Sequence, residues 1–346
     1  MTPLSPDQHL QFEYRGYRRR FRKALKTAHG EWPEREGVVI RLSMENGRTG
    51  YGEIAPIPWF SPELARQLAN QPLPEALGLD RIGKVVQPTI IKEVAEPTVR
   101  WAFECAVTQL VDPTLPGVRV PIAGLLPAGE AAVGTLSRQL ASGRRAYKWK
   151  IGVLPCADEL ALANQLMASL PRGVRLRFDA NCGLGDDDYA AWLSWCTAHR
   201  HVVDYIEQPL PVGREQEMFD RAKGMDVPIA LDESIAGVES LIRLAGQFPQ
   251  AVLIVKPSLL GSRGEYLRWR TGHPRNRVVY STGFETAIGL KAVWELAALD
   301  WPPLAPAGLD ASSALEEDGL CPLRIGWELC NADWPNGLEH EVWDKL

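Results

Sequence analysis

Five charged residues recur at a nearly even spacing through the middle of the chain, and this feature constrains its fold more than any other. They lie 24 to 29 residues apart, and each ends a short run of residues typical of a β-strand. The five are Lys150, Asp179, Glu207, Asp232 and Lys256. A unit of strand, loop, helix and loop takes about this many residues, so the spacing predicts consecutive strands of a (β/α) barrel. Because such barrels carry their active sites at the carboxyl ends of the strands, the five side chains are predicted to converge on one face.

A smaller region precedes the predicted barrel. Apolar alternation and turn residues predict an antiparallel hairpin from residues 10–25 and 37–54, and helical spacing covers residues 61–79 and 97–110. Residues 26–33 and 55–60 contain Gly or Pro and are predicted to be loops.

At 346 residues the chain is long for one domain. We therefore predict an α+β capping domain, a (β/α) barrel catalytic domain and a C-terminal segment that packs back on the capping domain. Their predicted bounds are 1–111, 112–311 and 312–346.

Composition narrows the class of partner. The net charge of -5 argues against a nucleic-acid or anionic-membrane partner, and we interpret the basic run at residues 17–23 as a solvated strand or its edge. No run approaches the ~18 apolar residues that a membrane helix needs. The six cysteines include no Cys-x-x-Cys pair, so we expect reduced thiols. These features predict a cytoplasmic protein that acts on a small molecule.

The charged strand ends indicate a metal site with lysines beside it. Three carboxylates, from Asp179, Glu207 and Asp232, form a set of hard oxygen ligands without His or Cys, which selects Mg²⁺, with Mn²⁺ as the second choice, over Zn²⁺. Side chains alternate along a strand, so Lys148 and Lys150 face the barrel interior while Trp149 faces outward.

This arrangement suits abstraction of a proton α to a carboxylate. The metal takes up charge that develops on the carboxylate oxygens as an enediolate forms, and a lysine takes the proton. A free lysine is too basic for this task, with a pKa of about 10.4. We expect the metal and the like charge of Lys148 to lower the pKa of Lys150.

The barrel half resembles the enolase superfamily. The similarity extends from residue 147 to about residue 312, although Thr282 and Gly283 stand where that superfamily more often has serines. The matching segments are YKWKIG at 147–152, RFDAN at 177–181, YIEQPL at 205–210, LDES at 231–234, VKPSLLGS at 255–262 and STGFETAIGL at 281–290. The resemblance implies a modified (β/α)7β TIM-like barrel beneath an α+β capping domain.

The resemblance also implies a role for each site residue. Asp179, Glu207 and Asp232 would bind Mg²⁺. Lys150 would be the base, Lys256 would stabilise the intermediate from the opposite face, and Lys148 would tune Lys150. The residues implied to contact a small-molecule carboxylate substrate are Asn181, Ser281 and Thr282.

Two further features carry alternatives. Glu233 either holds a lysine in place or caps the next helix. Gly30, Trp32, Trp59 and Phe60 lie in loops that close over the barrel mouth in similar proteins, or else they serve packing between the domains.

The resemblance leaves several functions open. The preferred one is a lyase that dehydrates 2-succinyl-6-hydroxy-2,4-cyclohexadiene-1-carboxylate in menaquinone and phylloquinone biosynthesis. The alternatives are an N-acylamino acid racemase or dipeptide epimerase, a cycloisomerase, and a barrel without catalysis. Dipeptide epimerases carry Asp-x-Asp near the eighth strand, whereas this chain has Asp310-Ala311-Ser312, which favours the lyase. A non-catalytic barrel would be expected to have lost at least one of the five charged residues.

Overall fold

A computed structural model describes residues 4–5, 7–27, 30–60, 62–68, 70–112, 114, 117–300, 305–311 and 314–346. Within these residues no helix is both long enough and apolar enough to cross a membrane. The chain folds as a mixed α/β protein with an antiparallel sheet near its N-terminus and a curled parallel sheet after it.

Among its described residues, the N-terminal region has a four-stranded antiparallel sheet and three α-helices. The strand order in the sheet is β3-β2-β1-β4. Its elements, in chain order, are β1 (Leu10–Thr27), β2 (Gly30–Ser43), β3 (Thr49–Ile54), α1 (Pro62–Leu68), α2 (Leu73–Ala76), β4 (Val85–Val86) and α3 (Pro97–Val111).

The predicted hairpin is confirmed, but two predictions within this region are wrong. The segment 26–33 is not a loop throughout, because β2 begins at Gly30 and Trp32 pairs with Leu25; residues 28–29 lie outside the described part. The helical prediction for 61–79 gives two short helices with a break between them. Pro72 and Pro74 lack the amide hydrogen that a continuous helix needs, which explains the interruption.

The second region alternates strands and helices. Strands β6 to β12 form one parallel sheet in chain order, and β5 pairs with β13. Its elements are β5 (Val120–Pro121), β6 (Gly124–Leu126), α4 (Ala131–Gln139), β7 (Ala146–Lys150), α5 (Cys156–Ser169), β8 (Arg175–Asp179), α6 (Asp186–Ala198), β9 (Val203–Glu207), α7 (Glu215–Ala222), β10 (Ile229–Leu231), α8 (Val238–Gln247), β11 (Val252–Val255), α9 (Arg263–Gly272), β12 (Arg277–Tyr280), α10 (Ala287–Leu299), β13 (Glu328–Leu329) and α11 (Leu338–Lys345).

Backbone hydrogen bonds join the two edges of the parallel sheet. The Ala307 amide donates to the carbonyl of Pro121 at 2.8 Å, and the Gly308 amide donates to the carbonyl of Tyr280 at 2.8 Å. Residues 307–308 therefore lie between the segment that precedes β6 and the end of β12, so the sheet curls round to meet itself.

The two faces of the strands bury different residues. Trp149 is fully buried and packs outward against Trp192 of α6, with ring centroids 6.2 Å apart, which confirms the predicted direction of β7. Inside the curled sheet, Arg177 lies over the ring of Tyr205 and pairs with Asp204 at 2.8 Å. The buried charge of Arg177 is thus compensated by a carboxylate within the sheet.

The end of the chain contacts the first sheet. A bridge joins Leu315 to Phe21 of β1, and the guanidinium of Arg15 lies over the ring of Trp343 in α11 at 4.5 Å. All six cysteines are free thiols. In the basic run, the buried Arg19 pairs with Asp318, while Arg18 is solvent-exposed.

Candidate active site

The five recurring charged residues lie at the carboxyl ends of five neighbouring parallel strands. Lys150, Asp179 and Glu207 end β7, β8 and β9, and the register pairs Lys150 with Asp179 and Asp179 with Glu207. Asp232 follows β10 and Lys256 follows β11. The strand spacing read in the sequence therefore brings the five residues to one end of the sheet.

Lys148 joins two of the predicted metal ligands. Its Nζ lies 2.9 Å from Oδ2 of Asp179 and 2.6 Å from Oε1 of Glu207. Burial alone would lower the pKa of Lys148, but the two carboxylates outweigh it and hold that pKa well above its usual value. Lys148 is therefore a protonated ammonium group at neutral pH and is unsuited to act as a base.

Lys256 lies on the other side of the ligand set. Its ammonium group pairs with Asp232 and lies 5.2 Å from the ring centroid of Phe60. Burial lowers the pKa of Lys256, but the carboxylates of Asp232 and Glu233 raise it above its ordinary value. This lysine therefore supplies a fixed positive charge.

Lys150 has the opposite electrostatic character. Burial lowers its pKa, and the like charge of Lys148 lowers it further, against the opposing effect of Asp179. The predicted direction of the shift agrees with the structure, although burial rather than Lys148 is the largest cause. Of the three lysines, Lys150 is the one whose environment favours the neutral amine that a base requires.

Asn181 connects Lys150 to Glu233. The Lys150 ammonium donates to Oδ1 of Asn181 at 3.2 Å, and the Asn181 amide donates to Oε1 of Glu233. The prediction that Glu233 caps the next helix is wrong, because α8 begins at Val238 and its N-cap is Gly237. Glu233 instead orients the amide that holds the predicted base.

The carboxylates of Asp179, Glu207 and Asp232 fit a divalent metal by their chemistry. Glu207 is fully buried, and its Oε2 has no hydrogen-bond partner among the residues that the structure describes. A buried carboxylate oxygen in this state is costly unless a cation approaches it. Lys148 and Lys256 pair with these carboxylates here, and among the described residues no three acidic, His or Cys side chains are close enough to hold a metal as they stand.

The two predicted substrate contacts after β12 differ from each other. Ser281 is half-buried, and its amide donates to the carbonyl of Val255 at 2.8 Å. The Thr282 hydroxyl is buried and donates to the carboxylate of Glu285. Thr282 is therefore held by Glu285, a residue for which the sequence predicted no role.

Gln208, which directly follows the predicted metal ligand Glu207, is a second residue for which the sequence predicted no role. Its Oε1 accepts from the amide of Asp232 at 3.1 Å, and its Nε2 donates to the Ser234 hydroxyl at 2.9 Å. Gln208 has a φ of 37° and is fully buried. Polar residues directly after a charged strand end, as in Glu207-Gln208, are the signal that would have identified it.

Aromatic rings from the N-terminal region lie above this end of the sheet. The ring of Trp32 lies 5.0 Å from that of Trp59 and 5.9 Å from that of Phe284, which follows β12. Together with Phe60 beside Lys256, these contacts show rings of the N-terminal region packing against the loops that follow β11 and β12, which agrees with the alternative of packing between the regions.

Comparisons with known proteins agree with this fold. Residues 132–267 match a family model described as enolase C-terminal domain-like. The o-succinylbenzoate synthase of Thermosynechococcus vestitus is 32% identical over 306 residues, which are 86% of this chain and 92% of that protein.

Solved structures extend the likeness to the whole fold. The crystal structure of o-succinylbenzoate synthase from Thermosynechococcus elongatus BP-1, with Mg in its active site, superposes with a TM-score of 0.80 at 27% identity, covering 97% of this chain and 100% of that one. The dipeptide epimerase of Enterococcus faecalis V583 shares the fold at a TM-score of 0.72 and 20% identity, covering 92% of this chain and 94% of that one.

Fold and site together define an enzyme class in which carboxylates and lysines meet at the carboxyl ends of a curled parallel sheet. This chain aligns with 92% of the length of the Thermosynechococcus vestitus synthase, to which it is 32% identical. The chain belongs to the o-succinylbenzoate synthase family of the enolase superfamily.

Proposed function

We propose that this enzyme is a carbon–oxygen lyase that dehydrates 2-succinyl-6-hydroxy-2,4-cyclohexadiene-1-carboxylate to o-succinylbenzoate through an enediolate. The observation that carries the proposal is the buried Oε2 of Glu207, which has no hydrogen-bond partner within the described residues. In strand order Glu207 lies between Lys150, whose pKa is lowered, and Lys256, whose pKa is raised. Family membership adds the substrate, since the similar proteins bear the name of this synthase.

The lysines divide the reaction between two faces. Lys150 removes the α-proton as a neutral amine, and its conjugate acid then helps the hydroxyl group to leave as water. Lys256 holds positive charge on the opposite side, where it stabilises the negative charge of the enediolate. Lys148 favours the ionised forms of Asp179 and Glu207 by pairing with both, although burial raises the pKa of Glu207 to about 8. Its like charge disfavours the protonated form of Lys150.

Asp179, Glu207 and Asp232 would hold Mg²⁺, with Mn²⁺ as a second ion of suitable hardness. When bound, the ion polarises the substrate carboxylate and offsets the charge that develops on it. Asn181 and Glu233 hold the Lys150 amine in place for proton transfer, whatever ion the carboxylates carry.

The region near residue 310 favours dehydration over epimerisation of dipeptides. The Asp310 carboxylate pairs with the buried Arg144 at 2.7 Å, and Arg144 also donates to the carbonyl of Ala123 at 3.0 Å. A carboxylate held in this way is a poor receptor for a substrate ammonium group. Ser312, which stands where epimerases carry a second carboxylate, lies outside the described residues.

Several finer assignments belong to the same proposal. Residues 307–308 serve as the eighth strand of a modified (β/α)7β barrel, and the bonds to Pro121 and Tyr280 support this. The contact between Arg15 and Trp343 supports a C-terminal segment that packs on a capping domain over residues 1–111. We further propose a role in menaquinone or phylloquinone biosynthesis, a cytoplasmic location and no nucleic-acid partner.

The test is to compare two substrates in D₂O with Mg²⁺ and to follow the α-position by NMR. We expect efficient formation of o-succinylbenzoate from the cyclohexadiene acid and weak or absent exchange at the α-carbon of a dipeptide such as L-Ala-L-Glu. Rapid deuterium exchange with inversion of the dipeptide, without any aromatic product, would favour the epimerase instead.

A further inference from the structure

A buried carboxylate outside the predicted metal ligands bridges two loops of the active site. Glu285 is 4% exposed and follows β12. Its Oε1 accepts from the Ser258 hydroxyl at 3.1 Å, and its Oε2 accepts from the Gly283 amide at 2.7 Å and from the Thr282 hydroxyl. Each of its oxygens therefore has at least one neutral donor.

These bonds fix the role of Thr282. A hydroxyl has one proton to donate, and Thr282 gives it to Glu285, while its oxygen accepts from the Phe284 amide at 3.0 Å. The hydroxyl therefore has no proton left for a substrate oxygen. Its contacts hold the backbone of the loop after β12 in one conformation.

The other end of the bridge reaches the lysine on the neighbouring strand. Ser258 is 1% exposed and lies two residues after Lys256, in the turn that follows β11. By accepting from Ser258 as well as from Thr282, Glu285 ties the turn after Lys256 to the loop that contains Ser281. The relative positions of Lys256 and Ser281 then depend on one carboxylate.

A second buried carboxylate holds the Glu285 segment from the antiparallel sheet. Glu53 of β3 is 2% exposed and accepts from the Thr286 amide at 2.9 Å, from the Gly289 amide at 2.9 Å and from the Tyr17 hydroxyl. These amides lie at the N-terminus of α10, where the helix dipole makes a negative charge favourable. A Cβ at Gly289 would lie 2.7 Å from Cβ of Glu285, so only glycine allows the two carboxylates to pack this closely.

We propose that Glu285 is a positioning residue for the dehydration, which holds Lys256 in register with Ser281, and that Glu53 fixes Glu285 from the N-terminal region. The inference rests on the proposed function for its activity readout. Its physical basis is that a displacement of about 1 Å in a reacting group can cost on the order of 10²-fold in rate.

The experiment compares Glu285→Ala with Glu285→Gln in the full chain. Alanine removes the bridge, so we expect kcat to fall about 10- to 100-fold, with KM changed less than about threefold. Glutamine keeps the bridge, because its amide oxygen can accept from Thr282 and Gly283 and its amide nitrogen can donate to Ser258. Glu285→Gln is therefore expected to restore kcat to within about threefold of the original.

The matched control is Asp300→Ala at the other end of α10, where Asp300 pairs with Arg270 at 2.9 Å. It should lower the melting temperature without lowering kcat. Ser258→Ala removes one arm of the bridge and, should Glu285→Ala fold poorly, still tests it through a smaller fall in kcat. Equal kcat in Glu285→Ala and Asp300→Ala, or a Glu285→Gln variant as impaired as Glu285→Ala, would overturn the inference.

Hydrogen exchange measured by mass spectrometry gives a second readout that needs no substrate. We expect faster exchange over residues 257–262 and 282–286 in Glu285→Ala, but not in Glu285→Gln or Asp300→Ala. Unchanged exchange in Glu285→Ala would contradict the bridge. If the original protein formed no o-succinylbenzoate, the proposed function would fail, while the exchange pattern would still decide whether Glu285 joins the two loops.

Discussion

The carboxylates of the predicted metal site and that of Glu53 in the antiparallel sheet lie beside different kinds of partner. In the parallel sheet, Glu207 and Asp232 pair with the ammonium groups of Lys148 and Lys256. In the antiparallel sheet, the donors to Glu53 within the described part of the chain are amides and hydroxyls, among them those of Tyr17 and Thr286. An ammonium group on a flexible side chain can give way to a metal ion, whereas a backbone amide cannot. The carboxylates paired with lysines are therefore suited to binding a metal ion in catalysis. The carboxylate of Glu53 is suited to holding the antiparallel sheet against the start of α10.

The largest effect should follow loss of the base in the parallel region. Lys150→Ala removes the amine that takes the α-proton, and we expect kcat to fall by at least ~10² to 10⁴, the usual contribution of general acid–base catalysis. Steady-state turnover of the cyclohexadiene acid measures it. Lys223→Ala, at an exposed lysine after α7, is the control and should keep full activity. Near-normal turnover by Lys150→Ala, together with complete loss of turnover in Lys256→Ala, would move the base to Lys256.

The electrostatic link between Lys148 and Lys150 predicts a change in pH dependence. The base must be neutral, so kcat/KM should rise with pH through the lowered pKa of Lys150 and level off above it. Lys148→Gln removes a like charge and leaves Asp179 and Glu207 without their cation. Both changes raise the pKa of Lys150, so the rising limb should move to higher pH.

A pH–rate profile of Lys148→Gln beside that of Arg145→Gln, an exposed residue just before β7, measures this shift. The Arg145 variant should keep the original profile. A limb that stays in place in Lys148→Gln, or moves to lower pH, would show that Lys148 does not tune the base.

The antiparallel region should contribute a smaller effect through its aromatic cover. Phe60→Leu removes the ring that lies 5.2 Å from the Lys256 ammonium, an interaction of about 1 kcal/mol, so kcat should fall roughly fivefold. Trp327→Leu, at a ring that is 49% exposed, is the control and should leave kcat unchanged. Unaltered kcat in Phe60→Leu would make the ring a packing element only.

How much the sequence predicts differs between the two regions for a physical reason. In the parallel sheet, the strand itself determines where a side chain at its end lies. The spacing of the strands in the sequence was therefore enough to predict that Lys150, Asp179 and Glu207 lie together. The long pairing of β1 with β2 depends on contacts across a hairpin, and the local Gly and Pro signals at residues 30–33 predicted a loop where the strand pairing in fact begins.

The supporting residues were harder to predict than the charged strand ends. Glu285 and Glu53 act through hydrogen bonds that include partners distant in the chain, such as Ser258 for Glu285 and Gly289 for Glu53, and patterns in one sequence do not encode such pairs. Thr282 was predicted to contact substrate because of its motif. The structure shows that its hydroxyl donates to Glu285, a contact that the sequence did not predict.

The most direct test of the account is a calorimetric titration of Mg²⁺ into the original chain, Glu207→Gln and Glu215→Gln, with turnover measured on the same samples before and after EDTA. Glu215 accepts from the Ser234 hydroxyl and the Gly213 amide and is the matched control. We predict one ion per chain, binding at least ~10- to 100-fold weaker in Glu207→Gln, since outer partners of a metal ligand already contribute that much, and unchanged binding in Glu215→Gln. EDTA should abolish turnover, and Mg²⁺ should restore it. Undiminished turnover in metal-free buffer, or Mg²⁺ binding by Glu207→Gln equal to that of the original chain, would contradict the account.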